Sequence, residues 1–186
     1  GFEQWVIQIK ESLAAFEAET GKKTAPFGVN LIVHATNVRV QADLEICVKH
    51  QVPLIITSLG AVAQLVDVVH SYGGLVYHDV IKKRHAEKAA EVGVDGLILV
   101  AAGAGGHAGT LHPIALINEI KKFFNKTILL SGCLSTGKDV ASAMQMGADM
   151  AYMGTRFINV EESMADEEYQ KMIVEKCINS SRPVVI

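Results

Sequence analysis

The chain has 186 residues, a formal net charge of −3, 49% apolar residues and 20% charged ones. That length is enough for one domain with a substantial core, and that composition excludes a disordered chain. The absence of a basic block or stripe argues against nucleic acid or an anionic membrane surface as the main partner, and no apolar run reaches the roughly 18 residues a transmembrane helix needs.

The first residues read as a helix, with Trp5, Ile9, Leu13 and Phe16 at helical spacing on one face. A helix placed first, ahead of a strand, raises the expectation that the natural N-terminus is missing. Strand-like apolar runs then follow at Phe27–Val33, Pro53–Thr57, Gly74–His78, Gly96–Val100, Thr127–Ser131 and Met150–Gly154. Helical patterns lie between them, near Val40–His50, Ala61–Tyr72, Lys82–Val92, Pro113–Phe124 and Lys138–Met146, and an acidic helix near Ala165–Cys177 closes the chain. The strands are short, rich in Val, Ile and Leu, and apolar on both faces, as expected of a parallel sheet covered by helices. No low-complexity linker divides residues 1–186, so one domain is expected. Cys47, Cys133 and Cys177 are far apart and in no metal-ligand spacing, which fits a reduced, cytoplasmic setting.

Alternating βα units allow an open doubly wound sheet or a barrel. A dinucleotide-binding sheet would carry G-x-G-x-x-G after its first strand, and nothing of that kind follows Phe27–Val33. The glycines sit instead after the fourth, fifth and sixth visible strands. In barrels a phosphate site often forms after strands 7 and 8. If Thr127–Ser131 and Met150–Gly154 are those strands, the first visible strand is number 3. The expected fold is then α/β, a (β/α)8 TIM barrel lacking its first two strands and its C-terminal segment, on the order of 50 residues short at the front of a typical barrel of about 250.

Three segments carry chemistry. In Ser131-Gly132-Cys133-Leu134-Ser135-Thr136-Gly137, a glycine ends a strand and Ser135 or Thr136 can cap the following helix. Backbone can approach a ligand closely there, and free N–H groups favour an anion. An ordinary capped βα turn is the simpler alternative. In Gly147–Arg156 the strand runs into Gly154-Thr155, and two successive units ending in Ser-Gly and Gly-Thr point to a phosphate or phosphorylated cofactor. Arg156 can serve as a phosphate ligand or as a helix-end cation. In Ala101–Thr110, the glycines at 103, 105, 106 and 109 let a loop lie flat against something such as an aromatic ring system. His107 stands among them at the C-terminal end of a strand, where barrel enzymes keep their catalytic groups and where a neutral imidazole can act as a general base. A loop histidine bonded to backbone is the alternative.

Weaker candidates are Asn30, which can point into the barrel mouth, and His78-Asp79, which lies at a strand end as pocket lining. Ser58 is accounted for by turn chemistry. Cys133 is expected to contribute its backbone N–H rather than a reactive thiol. His34, His50, His70, His85 and His112 form no metal-ligand constellation, and no metal is expected.

Ala104-Gly105-Gly106-His107-Ala108-Gly109-Thr110 resembles the A-G-G-H-x-G-T loop of nitronate monooxygenases, formerly called 2-nitropropane dioxygenases. Phe27-Gly28-Val29-Asn30-Leu31 resembles the third strand of that family. Ser131-Gly132 and Gly154-Thr155-Arg156-Phe157 resemble its phosphate-binding strand ends. The likeness runs from about Pro26 to Glu162. It implies an FMN-dependent oxidoreductase that takes alkyl nitronates or nitroalkanes, with oxygen, to carbonyl compounds and nitrite. It places the catalytic base on His107, needed for a neutral nitroalkane and not for a nitronate. It places flavin contacts on Asn30, Gly105, Gly106, Ser131, Gly132, Cys133, Gly154 and Thr155. The partners implied are a small-molecule substrate and oxygen, with no nucleic acid and no membrane; a homo-oligomer is left open.

Three other functions compete. FMN-dependent NAD(P)H:quinone and enoyl-acyl-carrier reductases share the scaffold and a similar loop. A non-catalytic flavin- or phosphate-binding pseudoenzyme would fit the missing strands but not an intact His107. Enzymes of the inosine-monophosphate dehydrogenase type share the Ser-Gly, Gly-Ala-Asp and Met-Gly pattern, but need a nucleophilic cysteine in the loop that here holds His107.

Overall fold

In the computed structural model, residues 1–34, 36–60, 63–105 and 109–179 are described. Parallel strands alternate with helices throughout, the α/β architecture expected from the apolar periodicity. The Cα packing divides the chain into two compact units, one of Gly1–His78 with Glu91–Asp95, the other of Asp79–Ala90 with Gly96–Ile186.

The first unit opens on helix α1, Phe2–Thr20, ended by Gly21 in the left-handed region with φ 66°. Strand β1, Gly28–Ile32, pairs in parallel with β2, Leu54–Ser58, and β2 with β3, Leu75–Val80. Helix α2, Val40–Lys49, and helix α3, Ala63–His70, connect them. Helix α1 docks through Val6, which is 1% exposed, and through Glu3, whose carboxylate meets Lys49 Nζ and His50 Nε2, both at 2.8 Å. The stripe of apolar residues is therefore not the docking face: Trp5, Ile9 and Phe16 stay exposed. Spacing identifies the helix, but the Glu3 contacts to α2 set its rotation.

The second unit contains helix α4, Lys83–Glu91 (through Ala90), strand β4, Gly96–Val100, and helix α5, Pro113–Ile120. Strand β5, Thr127–Ser131, helix α6, Gly137–Gln145, and strand β6, Met150–Tyr152, follow. A one-turn helix α7, Thr155–Ile158, and helix α8, Glu167–Asn179, complete it. Strands β4, β5 and β6 pair in parallel. Strand β4 is buried from Gly96 to Leu99, as a helix-covered parallel strand should be. Strand β1 departs from that pattern: Gly28, Asn30 and Ile32 are exposed, so only one of its faces is covered.

The same bracket is built once in each unit. Asp95 and Asp149 each stand just ahead of a strand. Asp95 Oδ2 accepts the Val76 N–H at 2.9 Å while its own N–H donates to the Val76 carbonyl. Asp149 does the same to Ile128, at 2.8 Å through Oδ2. A carboxylate accepting a strand N–H is a charge-assisted bond, and here it sets the strand register.

Candidate active site

The second unit holds most of the candidate residues. The register pairs Val100 with Ser131 and Ser131 with Tyr152, so the three form one row on one face at the C-terminal ends of β4, β5 and β6. Leu97, Leu99, Ile128 and Leu130 alternate to the opposite face, each at most 1% exposed. Ser131 and Tyr152, by contrast, are only half-buried. The turns that follow, at Gly132 and Gly154, are brought side by side by that register.

The turn after β5 is tied down from within. Cys133 is in the left-handed region with φ 53°, and its N–H donates to the Gly103 carbonyl at 3.2 Å. The Cys133 thiol donates to the same carbonyl at 3.4 Å. Gly132 has φ 138°, and a Cβ there would stand 3.0 Å from the Ala102 carbonyl oxygen. The glycine is thus explained by the neighbouring loop as well as by a ligand. The start of α6 is filled too. The Asp139 carboxylate accepts the N–H groups of Ser135 at 2.9 Å and Thr136 at 2.8 Å, and Thr136 closes a capping box with it. Those bonds, led by the Ser135 N–H, hold the Asp139 carboxyl below its ordinary value.

The turn after β6 is open. A Cβ on Gly154 would meet nothing within 4 Å. Gly154 accepts the Phe157 N–H at 2.9 Å, which leaves Thr155 and Arg156 as the first donors of α7, without partners inside the turn. These neutral N–H donors and the Thr155 hydroxyl are a donor set that suits a phosphate group.

The described ends of the glycine-rich loop are tied to each other. Ala102 donates to the Leu111 carbonyl at 2.9 Å, and Gly109 to the Val100 carbonyl at 3.1 Å. Gly105 is exposed. Gly106 and His107 lie outside the described residues. Asn30 belongs to the first unit, exposed on β1, where its Oδ1 accepts from the Ser58 hydroxyl at 3.3 Å. His78 and Asp79 separate. His78 is 5% exposed, with Nδ1 2.7 Å from the Thr57 hydroxyl, so it is a core histidine rather than pocket lining. Asp79 alternates to the other face. Cys47 is completely buried, and burial pushes its thiol up to about 11, which removes it as a nucleophile. Among the described residues no cluster of His, Cys, Asp or Glu is arranged to hold a metal, and no helix is long and apolar enough to cross a membrane.

The residue that sequence reasoning passed over is Tyr152. Its signal was its position, two residues before Gly154 on a strand whose partner ends at Ser131.

The profile of the family described as nitronate monooxygenase matches residues 3–181. The chain belongs to the nitronate monooxygenase family. Among curated proteins it is 28% identical over 138 residues to the (3aS,4S,5R,7aS)-5-hydroxy-7a-methyl-1-oxo-octahydro-1H-indene-4-carboxyl-CoA dehydrogenase of Rhodococcus jostii, covering 74% of this chain and 38% of that protein. It is 27% identical over 125 residues to a nitronate monooxygenase of Neurospora crassa, covering 62% and 33%. Among solved structures, FabK from Thermotoga maritima superposes with a TM-score of 0.73 at 25% identity, covering 92% of this chain and 53% of that one. The chain therefore spans between a third and two fifths of the length of these two curated relatives. The family profile and the superposition on FabK together place the chain in an α/β barrel-type fold of this family.

Proposed function

We propose that the protein is an FMN-dependent oxidoreductase that oxidises alkyl nitronates or nitroalkanes to carbonyl compounds and nitrite, with oxygen as the co-substrate. The observation that carries this reading is the pair of strand-end turns at Gly132 and Gly154, set side by side by the Ser131–Tyr152 register, within a chain matched by the family profile.

The flavin phosphate is assigned to the N–H groups of Thr155 and Arg156 and the Thr155 hydroxyl, with Gly154 leaving room for close approach. Ser131, Gly132 and Cys133 are assigned to the adjoining wall, and Gly105 and Gly106 to the ring system. Bound there, FMN supplies the electron acceptor. His107 takes the proton from the carbon next to the nitro group, a step that a nitronate, already an anion, does not need.

The test is His107→Asn. Turnover of a neutral nitroalkane should fall by a factor on the order of 10²–10⁴, the usual weight of a general base. Nitronate turnover and flavin content should hold. Unchanged nitroalkane kinetics would remove His107 from the mechanism.

A second reading is oxidation of a coenzyme A thioester. It is favoured by the match to the Rhodococcus dehydrogenase, which covers more of this chain than the match to the Neurospora enzyme. His107 would again act on a carbon acid, the carbon next to the thioester carbonyl. Anaerobic absorbance of the flavin-loaded protein separates the readings. Bleaching by an alkyl nitronate supports the first, and bleaching by a bicyclic acyl-CoA supports the second. Bleaching by NADH or NADPH alone makes the protein a reductase, and no flavin absorbance at all makes it a pseudoenzyme.

A further inference from the structure

The chain is acidic overall, with a net charge of −3, yet Lys82, Lys83, Arg84 and Lys88 gather within residues 82–88 beside a single acid, Glu87. Lys83 is the one that reaches it, at 3.7 Å. Lys82, Arg84 and Lys88 are exposed and have no ion pair among the described residues, whereas Arg39, Lys49 and Lys122 each meet a carboxylate. Arg84 and Lys88 stand four apart on α4, so two like charges share one face, an arrangement that destabilises a helix. Glu119 on the following helix α5 is engaged by Lys122. Burial, and then the charges of Lys82, Lys88 and Arg84, hold the His85 imidazole below its ordinary value, so the three cations surround a neutral ring. The cluster begins at the strand ends that carry the site. A Cβ on Gly109 would sit 2.4 Å from the Val100 carbonyl oxygen and 3.1 Å from that of Ile81. The residue before Lys82 therefore adjoins Val100, the first member of the row Val100, Ser131, Tyr152.

We propose that Lys82, Arg84 and Lys88 form a rim beside the strand ends that binds a phosphate monoester on the carrier of a reacting group. The proposal deepens, and rests on, the flavin oxidoreductase reading above. Cations crowded together without carboxylates are relieved by an anion, and most by one of high charge. A phosphate monoester carries close to two negative charges at neutral pH. The Arg84 fork can meet two of its oxygens, while Lys82 and Lys88 act as point charges. Two carriers present such a group. One is coenzyme A, through its 3′-phosphate, in the thioester reading; the other is a nicotinamide dinucleotide with a 2′-phosphate, in the reductase reading. An alkyl nitronate needs neither, so the rim adds a reactant to that chemistry and does not exclude it.

The experiment is a calorimetric titration of the full chain, with FMN added, using two pairs of unreactive probes: coenzyme A against 3′-dephospho-coenzyme A, and NADP⁺ against NAD⁺. The phosphorylated member of at least one pair should bind about tenfold more tightly, the scale of one hydrogen bond between charged groups. Preference for coenzyme A identifies a thioester carrier, preference for NADP⁺ a nicotinamide co-substrate, and preference in both a monoester site open to either. Equal affinities within both pairs overturn the proposal, as does failure of all four probes to bind. The double variant Lys82→Gln, Arg84→Gln should bring the members of the preferred pair to nearly equal affinity. Lys22→Gln, which removes one charge elsewhere, should keep the preference. A preference that survives the double variant, or is lost as fully in Lys22→Gln, overturns the rim. Should the double variant not fold, Lys88→Gln decides, with an undiminished preference as the overturning result. Flavin absorbance is recorded on the same samples. Preference without bound flavin defeats the flavin reading and leaves the rim, and bound flavin without preference defeats the rim alone.

Discussion

The turns after β5 and β6 share a chemistry in sequence, Ser-Gly in one and Gly-Thr in the other, yet they differ in what they leave free. In the first, the Cys133 N–H is taken by the Gly103 carbonyl, and those of Ser135 and Thr136 are taken by the Asp139 carboxylate. In the second, Gly154 opens on empty space and the first donors of α7 have no partner within the turn. A strand-end glycine is therefore not by itself an anion site. What separates the two turns is a carboxylate placed to occupy the helix start, and a neighbouring loop placed to accept the remaining N–H.

The strongest way to break this comparison is Gly103→Ala. Its Cβ would stand 2.3 Å from Cys133 Sγ, at a φ of 89°. Overpacking and strain together should cost about 3 kcal/mol, read as a lowered thermal midpoint. Combining it with Cys133→Gly should recover part of the loss, because the sulfur is gone and the left-handed turn then has a glycine. A midpoint equal to wild type would show that the β5 turn is not a packed tie.

Gly154→Ala probes the other turn. Nothing opposes the added methyl in the fold, so the melting curve should match wild type. The methyl intrudes where the phosphate is assigned, and FMN affinity should fall about tenfold by fluorescence titration, a difference of about 1.4 kcal/mol. An unchanged affinity would move the phosphate away from β6.

The smallest effect is expected at Asp139. Its folded pKa is lowered, so its contribution to stability is complete above the unfolded value near 3.8 and is lost as pH falls through the lower folded value. Wild type should thus lose thermal stability on the acid side of that value. Asp139→Asn should start less stable at neutral pH and lose less there. Parallel acid limbs for the two proteins would remove the carboxylate from the capping of α6.

The order of strands and helices was legible because period and punctuation agree. Gly96–Val100 and Thr127–Ser131 have the boundaries that their apolar runs and flanking residues imply. The capping of α6 was half legible: Thr136 as a cap was visible, and Asp139 three residues on completes the box signature. Its consequence for the neighbouring donors was not, because one carboxylate can serve its own helix or leave those groups to a ligand. His78 and Asp79 were indistinguishable as adjacent polar residues at a strand end, until alternation sent one into the core against Thr57 and the other to the opposite face. The contacts of α1 were not legible for a related reason: Trp5, Ile9 and Phe16 share a stripe, but Val6 and Glu3 make the contacts.

By itself the sequence determined the element order, the parallel α/β class and the family, because these follow from local periodicity, from glycines at strand ends and from one histidine-bearing loop. Only the tertiary structure decided which backbone donors are already spent, which of two neighbouring polar residues enters the core, and that Tyr152 shares a row with Ser131. Those are properties of register and of partners distant in sequence, and a hydrogen bond is available to a ligand only when no such partner has taken it.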